Sequence, residues 1–189
     1  MAQERMQYEG VNHVALVARD MAETVEFYEQ ILEMPLVKTV EFPGGRGQHF
    51  FFDCGGGGLI AFFWFPDAPP AAPGIASMHQ DVAKNGAKTA HASMNHLAIS
   101  IPLEKFDAYV ERLRGKGIAV HVINHDDSPA GASPVVNEGV WIRSMYFRDP
   151  NGIHMELAAL TRAFRPNDVK HAPVNARGEP APSKAAALA

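Results

Sequence analysis

The stretch Val11-Asn12-His13-Val14-Ala15-Leu16 returns midway along the chain as Met94-Asn95-His96-Leu97-Ala98-Ile99. Each copy is a short β-rich run that opens a strand and is followed by a helical pattern, so one unit is written twice and two equivalent strands each offer one histidine. A second matching pair closes the units. Phe52-Asp53-Cys54-Gly55 precedes the apolar run Leu59-Ile60-Ala61-Phe62-Phe63-Trp64, and Phe147-Arg148-Asp149-Pro150-Asn151-Gly152 precedes Ile153-His154-Met155-Glu156-Leu157. Only the second run holds a carboxylate. The duplication therefore supplies two histidines and one glutamate at corresponding points: His13, His96 and Glu156.

In the first unit Asp20 stands at an N-cap position ahead of Glu23, Val25, Phe27, Ile31 and Leu32 at helical spacing, and Pro35 ends the helix. Three strands are expected after it, at residues 36–40, 48–53 and 59–64. In the second unit the pattern predicts a strand over 95–101, a helix over 103–114 closed by Gly115-Lys116-Gly117, and strands over 118–123, 140–147 and 153–158. The expected fold is α+β, with βαβββ modules at residues 10–65 and 94–162.

Outside the modules lie an N-terminal extension (1–9), a Pro/Ala/Gly-rich linker (66–93) and a tail (163–189). The linker carries His79 and His91 and has room for a short helix near residues 80–85. The tail has too little apolar surface to order itself, unless it packs on a neighbouring subunit. Residues 124–138, with Pro129, Gly131 and Pro134, read as a loop, either a lid or binding element or plain surface decoration.

A formal net charge of −4 with interspersed signs lacks the basic footprint of a nucleic-acid binder, which leaves a small molecule as the expected partner. No apolar run reaches membrane-spanning length and no secretory leader is evident, so the expected location is the cytoplasm. The single cysteine, Cys54, excludes an internal disulfide and reads as a small buried apolar residue. Gly55-Gly56-Gly57-Gly58 is a hairpin connection, since no Lys-Ser/Thr and no helix follow it. Asp149-Pro150-Asn151-Gly152 is a turn with no chemistry assigned, and Arg143 and Arg148 are expected to flank their strand in solvent.

A strand histidine standing alone is ordinarily a hydrogen-bonded structural residue. Repetition at equivalent points together with Glu156 points instead to a metal, because two imidazoles and a carboxylate hold a divalent first-row ion and leave positions free for substrate. Asn12-His13-Val14-Ala15, the Asp20 helix with Phe27-Tyr28, Asn95-His96-Leu97-Ala98, and Tyr146-Phe147-Arg148-Asp149-Pro150-Asn151-Gly152 followed by Glu156 together resemble the vicinal oxygen chelate superfamily. That group comprises glyoxalases, extradiol dioxygenases, fosfomycin-resistance and bleomycin-resistance proteins.

The resemblance implies two modules side by side, their strands curling into a cup-shaped mixed sheet with one divalent metal held by His13, His96 and Glu156. The family's fourth ligand position falls within Ile60-Ala61-Phe62, which is apolar and disfavours glyoxalase I activity. Sites with three such ligands resemble both extradiol dioxygenases, where iron(II) holds a catecholate and dioxygen, and fosfomycin thiol transferases, where manganese holds a phosphonate. Both use a tyrosine shortly before the glutamate, and Tyr146 stands there; its bland reading is a core strand aromatic.

The aromatics Phe50, Phe52, Phe62 and Trp64, read as pocket-side, and the lack of a Lys/Arg cluster tilt the expectation toward an extradiol-type dioxygenase. It would act on a catechol-like or other vicinal-oxygen molecule, with Fe(II) as the leading cofactor and manganese, zinc or nickel as alternatives. A non-redox lyase, isomerase or thiol transferase of the same group is the alternative enzyme, and a metal-free binding protein of the bleomycin-resistance type is the third reading. Acid/base candidates are His49, His79, His91, His125 and His154. His154 shares strand parity with Glu156 and joins Tyr146 as a catalytic candidate. A homodimer is expected.

Overall fold

A computed structural model describes residues 7–169 and 171–180. Strand β1 (His13–Val17) leads into helix α1 (Met21–Glu26), which continues as a π-helical turn (Phe27–Ile31). Asp20 caps α1 as expected: its backbone is extended and its carboxylate accepts from the Glu23 amide, satisfying a donor that the helix leaves open. The extra residue of the π turn falls where Phe27 and Tyr28, adjacent in sequence, are both buried. Strands β2 (Leu36–Phe42), β3 (Gly47–Asp53) and β4 (Leu59–Trp64) complete a four-stranded sheet in the order β1-β4-β3-β2. Strand β1 runs parallel to β4, and the other pairs are antiparallel. Gly47 has no substitute at the β2–β3 corner, because a Cβ there would meet the Trp64 carbonyl oxygen at 2.5 Å.

The second module repeats the plan after the short helix α2 (Val82–Asn85), which falls within the linker stretch expected to hold one. Strand β5 (Leu97–Ser100), helix α3 (Phe106–Gly115), β6 (His121–Asp126), β7 (Ala132–Ser133), β8 (Val140–Arg148) and β9 (His154–Leu160) form a five-stranded sheet ordered β5-β9-β8-β6-β7. Strand β6 begins three residues later than expected. The chain first leaves α3 through Gly117 at φ +81°, with the Ile118 amide donating back to the Leu113 carbonyl, and Ile118 and Val120 pack against the core. Strand β6 also runs into the stretch read as a loop, where Asn124 and His125 pair with Ser133 and Ala132 of β7. Of the tail, Pro166–Asp168 form a 3-10 turn whose Asp168 pairs with Arg162, while residues 181–189 lie outside the described ones.

The helices lie between the two sheets. Tyr28 packs on Phe52 and Phe62 of the first sheet and reaches Met155 Sδ of the second, Phe27 meets Phe147, and Phe106, Val110 and Leu113 of α3 belong to the same apolar cluster. Each sheet therefore has an inner face on the helices and an outer face turned away from them. Strand register assigns the residues: Phe52 lies opposite Ile60, Phe50 opposite Phe62 and Gln48 opposite Trp64, all on the inner face. The expectation that Phe50, Phe52, Phe62 and Trp64 line the pocket of a metal site is thus overturned, although Trp64 and Phe50 each line a separate cleft beside α1. Phe52 and Phe62 are fully buried core, and the aromatics of the outer face are one position away, at Phe51 and Phe63.

Two other expectations change. Arg143 is not a solvent residue: its guanidinium lies over the Phe106 ring at 4.1 Å, bonds Asn124 and pairs with Asp107 at 2.8 Å. Arg148 donates to the carbonyls of Gly152 and His79, tying the linker to the second module. The Asp149 turn, in addition, joins the modules. Asn151 Oδ1 accepts from the Arg19 amide and its Nδ2 donates to Thr24 Oγ1, while Tyr28 donates to Asp149. Among the described residues no helix is long and apolar enough to cross a membrane.

Candidate metal centre

Strand parity sets out the second module's outer face. Glu156 of β9 lies opposite Ala98 of β5 and Tyr146 of β8, so His96, Glu156, Tyr146 and His154 share one side. His96 Nε2 and Glu156 Oε2 are 2.9 Å apart. The other carboxylate oxygen, Oε1, accepts from Ser144 Oγ at 2.5 Å, and both Ser144 and Glu156 are buried. One imidazole nitrogen and one carboxylate oxygen thus converge, the carboxylate being held from behind by a hydroxyl. That donor set suits a divalent first-row ion.

Around this pair stand the groups that can handle protons. Tyr146 OH is 3.1 Å from His125 Nε2, and the Tyr146 ring stacks on His154 with centroids 5.2 Å apart. Burial, with the Glu156 charge adding to it, pushes the Tyr146 phenol above its usual pKa, so it is a neutral donor at physiological pH. His154 is pushed down to about 4, first by burial and then by the charges of Arg148 and His96; it is therefore neutral near pH 7, and its Nδ1 is buried without a hydrogen-bond partner. His79 bonds the Asp81 amide in the linker and His91 sits exposed in a turn.

His13 occupies the corresponding place in the other sheet. It lies opposite Leu59, on the outer face with Phe51, whose ring it meets edge-on at 5.9 Å. Two residues beyond His13, Ala15 faces Ala61, just as Ala98, two beyond His96, faces Glu156. Ala61 is therefore the structural counterpart of Glu156, and the first sheet offers no carboxylate there. His49 stacks on Phe63 at 3.6 Å on this face, its Nε2 buried and unpartnered.

With the helices between the sheets, the faces bearing His13 and Glu156 look outward in different directions. The chain thus brings together His96, Glu156, Tyr146 and His154, and does not bring His13 to them. Among the described residues no group of three or more His, Cys, Asp or Glu side chains converges. Sequence reasoning missed Ser144, since one serine on a strand carries no pattern; only its parity with Tyr146 and Glu156 would have singled it out.

Comparison with known proteins agrees with this architecture. The chain matches the Glyoxalase/Bleomycin resistance protein/Dioxygenase superfamily over residues 10–157 and belongs to it. It is 29% identical over 157 residues to "Metallothiol transferase FosB" of Shouchella clausii (strain KSM-K16), covering 82% of this chain and 84% of that one. Among solved structures, the glyoxalase family protein from Enterococcus faecalis superposes with a TM-score of 0.57 at 20% identity, covering 81% of this chain and 99% of the other. The fosfomycin resistance protein FosX from Listeria monocytogenes does so with a TM-score of 0.51 at 21% identity, covering 82% and 96%. At such identities these structures share the fold.

Proposed function

We propose that the chain is a metal-dependent transferase that joins a thiol to a small molecule bearing metal-chelating oxygens. The observation that carries this reading is the similarity to a metallothiol transferase across most of both chains, coinciding with a converged imidazole and carboxylate at His96 and Glu156. It departs from the expectation of a dioxygenase and takes up the alternative transferase.

The proposed ligand set is His96 and Glu156 of one copy with His13 of a second copy. The outer face around His13 is apolar for a surface: Val17 is 52% exposed, and Phe42, Phe63 and Phe65 form a stacked group beside it. A second copy related by two-fold symmetry would cover that face with its Glu156 face and create two equivalent cups, the arrangement an isologous dimer requires. Bound there, a divalent ion would supply Lewis acidity toward the substrate's oxygens; manganese, zinc and nickel all suit the donors, as does iron(II).

The chain's own groups account for the rest of the chemistry. Sulfur–carbon bond formation accompanies the breaking of a carbon–oxygen bond, whose electron pair stays on oxygen. The proton that the thiol loses is, in net terms, the one the oxygen gains. Tyr146, held by His125 and stacked on neutral His154, is the group assigned to deliver it. A free thiol as co-substrate fits a reducing compartment, hence the cytoplasm.

The test is to load purified protein with Mn(II) and incubate it with fosfomycin and L-cysteine, following adduct formation by mass spectrometry. A parallel sample loaded with Fe(II) is given catechols under an oxygen electrode. Adduct formation that disappears in Glu156→Ala supports the reading. Oxygen uptake with a catechol and no adduct with any thiol overturns it in favour of ring cleavage.

A further inference from the structure

Each metal-ligand histidine of the proposed site is preceded by an asparagine, and the two asparagines make the same contact. Asn12 Oδ1 lies 2.8 Å from His13 Nδ1, and Asn95 Oδ1 lies 2.6 Å from His96 Nδ1. These contacts occur in different sheets, in modules with different residues around them. Ala61 stands where the other module has Glu156, and His49 diagonally beside it where the other has Ser144. The dipeptide has the same geometry in both modules although its surroundings differ.

We infer that Asn12 and Asn95 are positioning residues that hold a proton on Nδ1 of each histidine, so that Nε2 is the nitrogen offered to the metal. An amide oxygen accepts and does not donate, so a short contact to Nδ1 requires the ring proton there. It also stops rotation of the ring about its Cβ–Cγ bond. The backbone anchors the acceptor in the first module: the Asn12 carbonyl accepts from the Leu59 amide at 3.0 Å, placing Asn12 at the edge of the β1–β4 pairing. In the second module the Nε2 so presented lies 2.9 Å from Glu156 Oε2, a hydrogen bond in which Nε2 donates and whose proton a metal ion would replace. Outer partners that orient a ligand imidazole characteristically change metal affinity by about 10–100-fold. This inference rests on the proposed metal site for its consequence, but its geometry rests on the two Asn–His contacts alone.

The experiment uses Asn12→Leu and Asn95→Leu, which remove the acceptor at similar size, and Asn12→Asp and Asn95→Asp, which retain it. Long-range 15N–1H NMR of the metal-free protein reads the His13 tautomer directly. The parent and Asn12→Asp are expected to hold the proton on Nδ1, and Asn12→Leu to show it shared with Nε2. Titration with Mn(II) is expected to show affinity about 10–100-fold weaker in each Leu variant and restored in each Asp variant. A parent His13 protonated on Nε2, or Leu variants that bind Mn(II) as the parent does, overturns the inference. Should the parent bind no Mn(II), the proposed function fails while the tautomer still decides the role of Asn12. Should one Leu variant fail to fold, its counterpart in the other sheet carries the test.

Discussion

The two oxygens of Glu156 have different partners: Ser144 donates to Oε1 at 2.5 Å, and Oε2 faces His96 at 2.9 Å. Removing the hydroxyl frees the carboxylate to rotate and leaves Oε1 buried without its donor. Ser144→Ala is therefore predicted to bind Mn(II) about 10–100-fold more weakly, read by calorimetric titration; an unchanged affinity would return Ser144 to a packing role. Asp149 is the other residue whose environment makes a measurable statement. It accepts from the Ile153 and Asn151 amides, from Asn151 Nδ2 and from Tyr28 OH, and burial raises its pKa above the ordinary aspartate value. Just above about pH 4 the folded chain then holds a proton that the unfolded chain has released, so Asp149 adds stability as pH falls through its folded pKa and loses it as pH rises. Measured by denaturant unfolding against Asp149→Asn, which does not titrate, the difference should shift toward the parent on going from about pH 7 to about pH 4. A shift in the opposite direction contradicts the assignment. The turn was legible in the sequence as a turn, but its partners Arg19, Thr24 and Tyr28 are more than a hundred positions away, and no local pattern announces them.

At the scale of elements, the register of β3 and β4 separates neighbours in sequence into core and outer surface. Phe52 packs under Tyr28 with no exposure, and Phe51 looks outward beside His13. Phe52→Ala is predicted to cost about 3–5 kcal/mol in denaturant unfolding, the range for emptying a buried aromatic site. Phe51→Ala should leave the folding of a single chain within about 1 kcal/mol and weaken self-association instead, as read by sedimentation. Equal effects of the two on folding would put the register in error. The sequence made most of the strands, the Asp20 cap and the β3–β4 hairpin plain, because duplication, an N-cap residue and a glycine run are local signals, whereas β7 lay hidden in a stretch read as a loop. It did not resolve the side of each aromatic in Phe50-Phe51-Phe52 or in Phe62-Phe63-Trp64. A continuous apolar run has no alternation, so the choice of face depends on where the helices lie.

For the whole molecule, the helices between the sheets decide what one chain can do. Tyr28, Phe27 and Phe106 fill the space between inner faces, and the faces bearing His13 and Glu156 are left outside. The three proposed ligand positions were readable from the repeat, whereas their separation was not: a duplicated sequence fits equally a cup closed within one chain and a cup closed between two. A homodimer is expected in sedimentation equilibrium, with association that weakens when the outer aromatics are cut back. The most direct measurement is metal binding by mixed variants. His13→Ala and His96→Ala are each loaded with Mn(II) alone, then unfolded, mixed in equal amounts, refolded and loaded again. Separately they should bind almost none. Mixed, half the dimers pair one variant with the other, and each such dimer has one intact site, so about one site in four should be recovered. Recovery of that fraction places His13 across the interface from His96 and Glu156. A mixture that binds no more than its components, beside a parent that binds fully, contradicts the shared site.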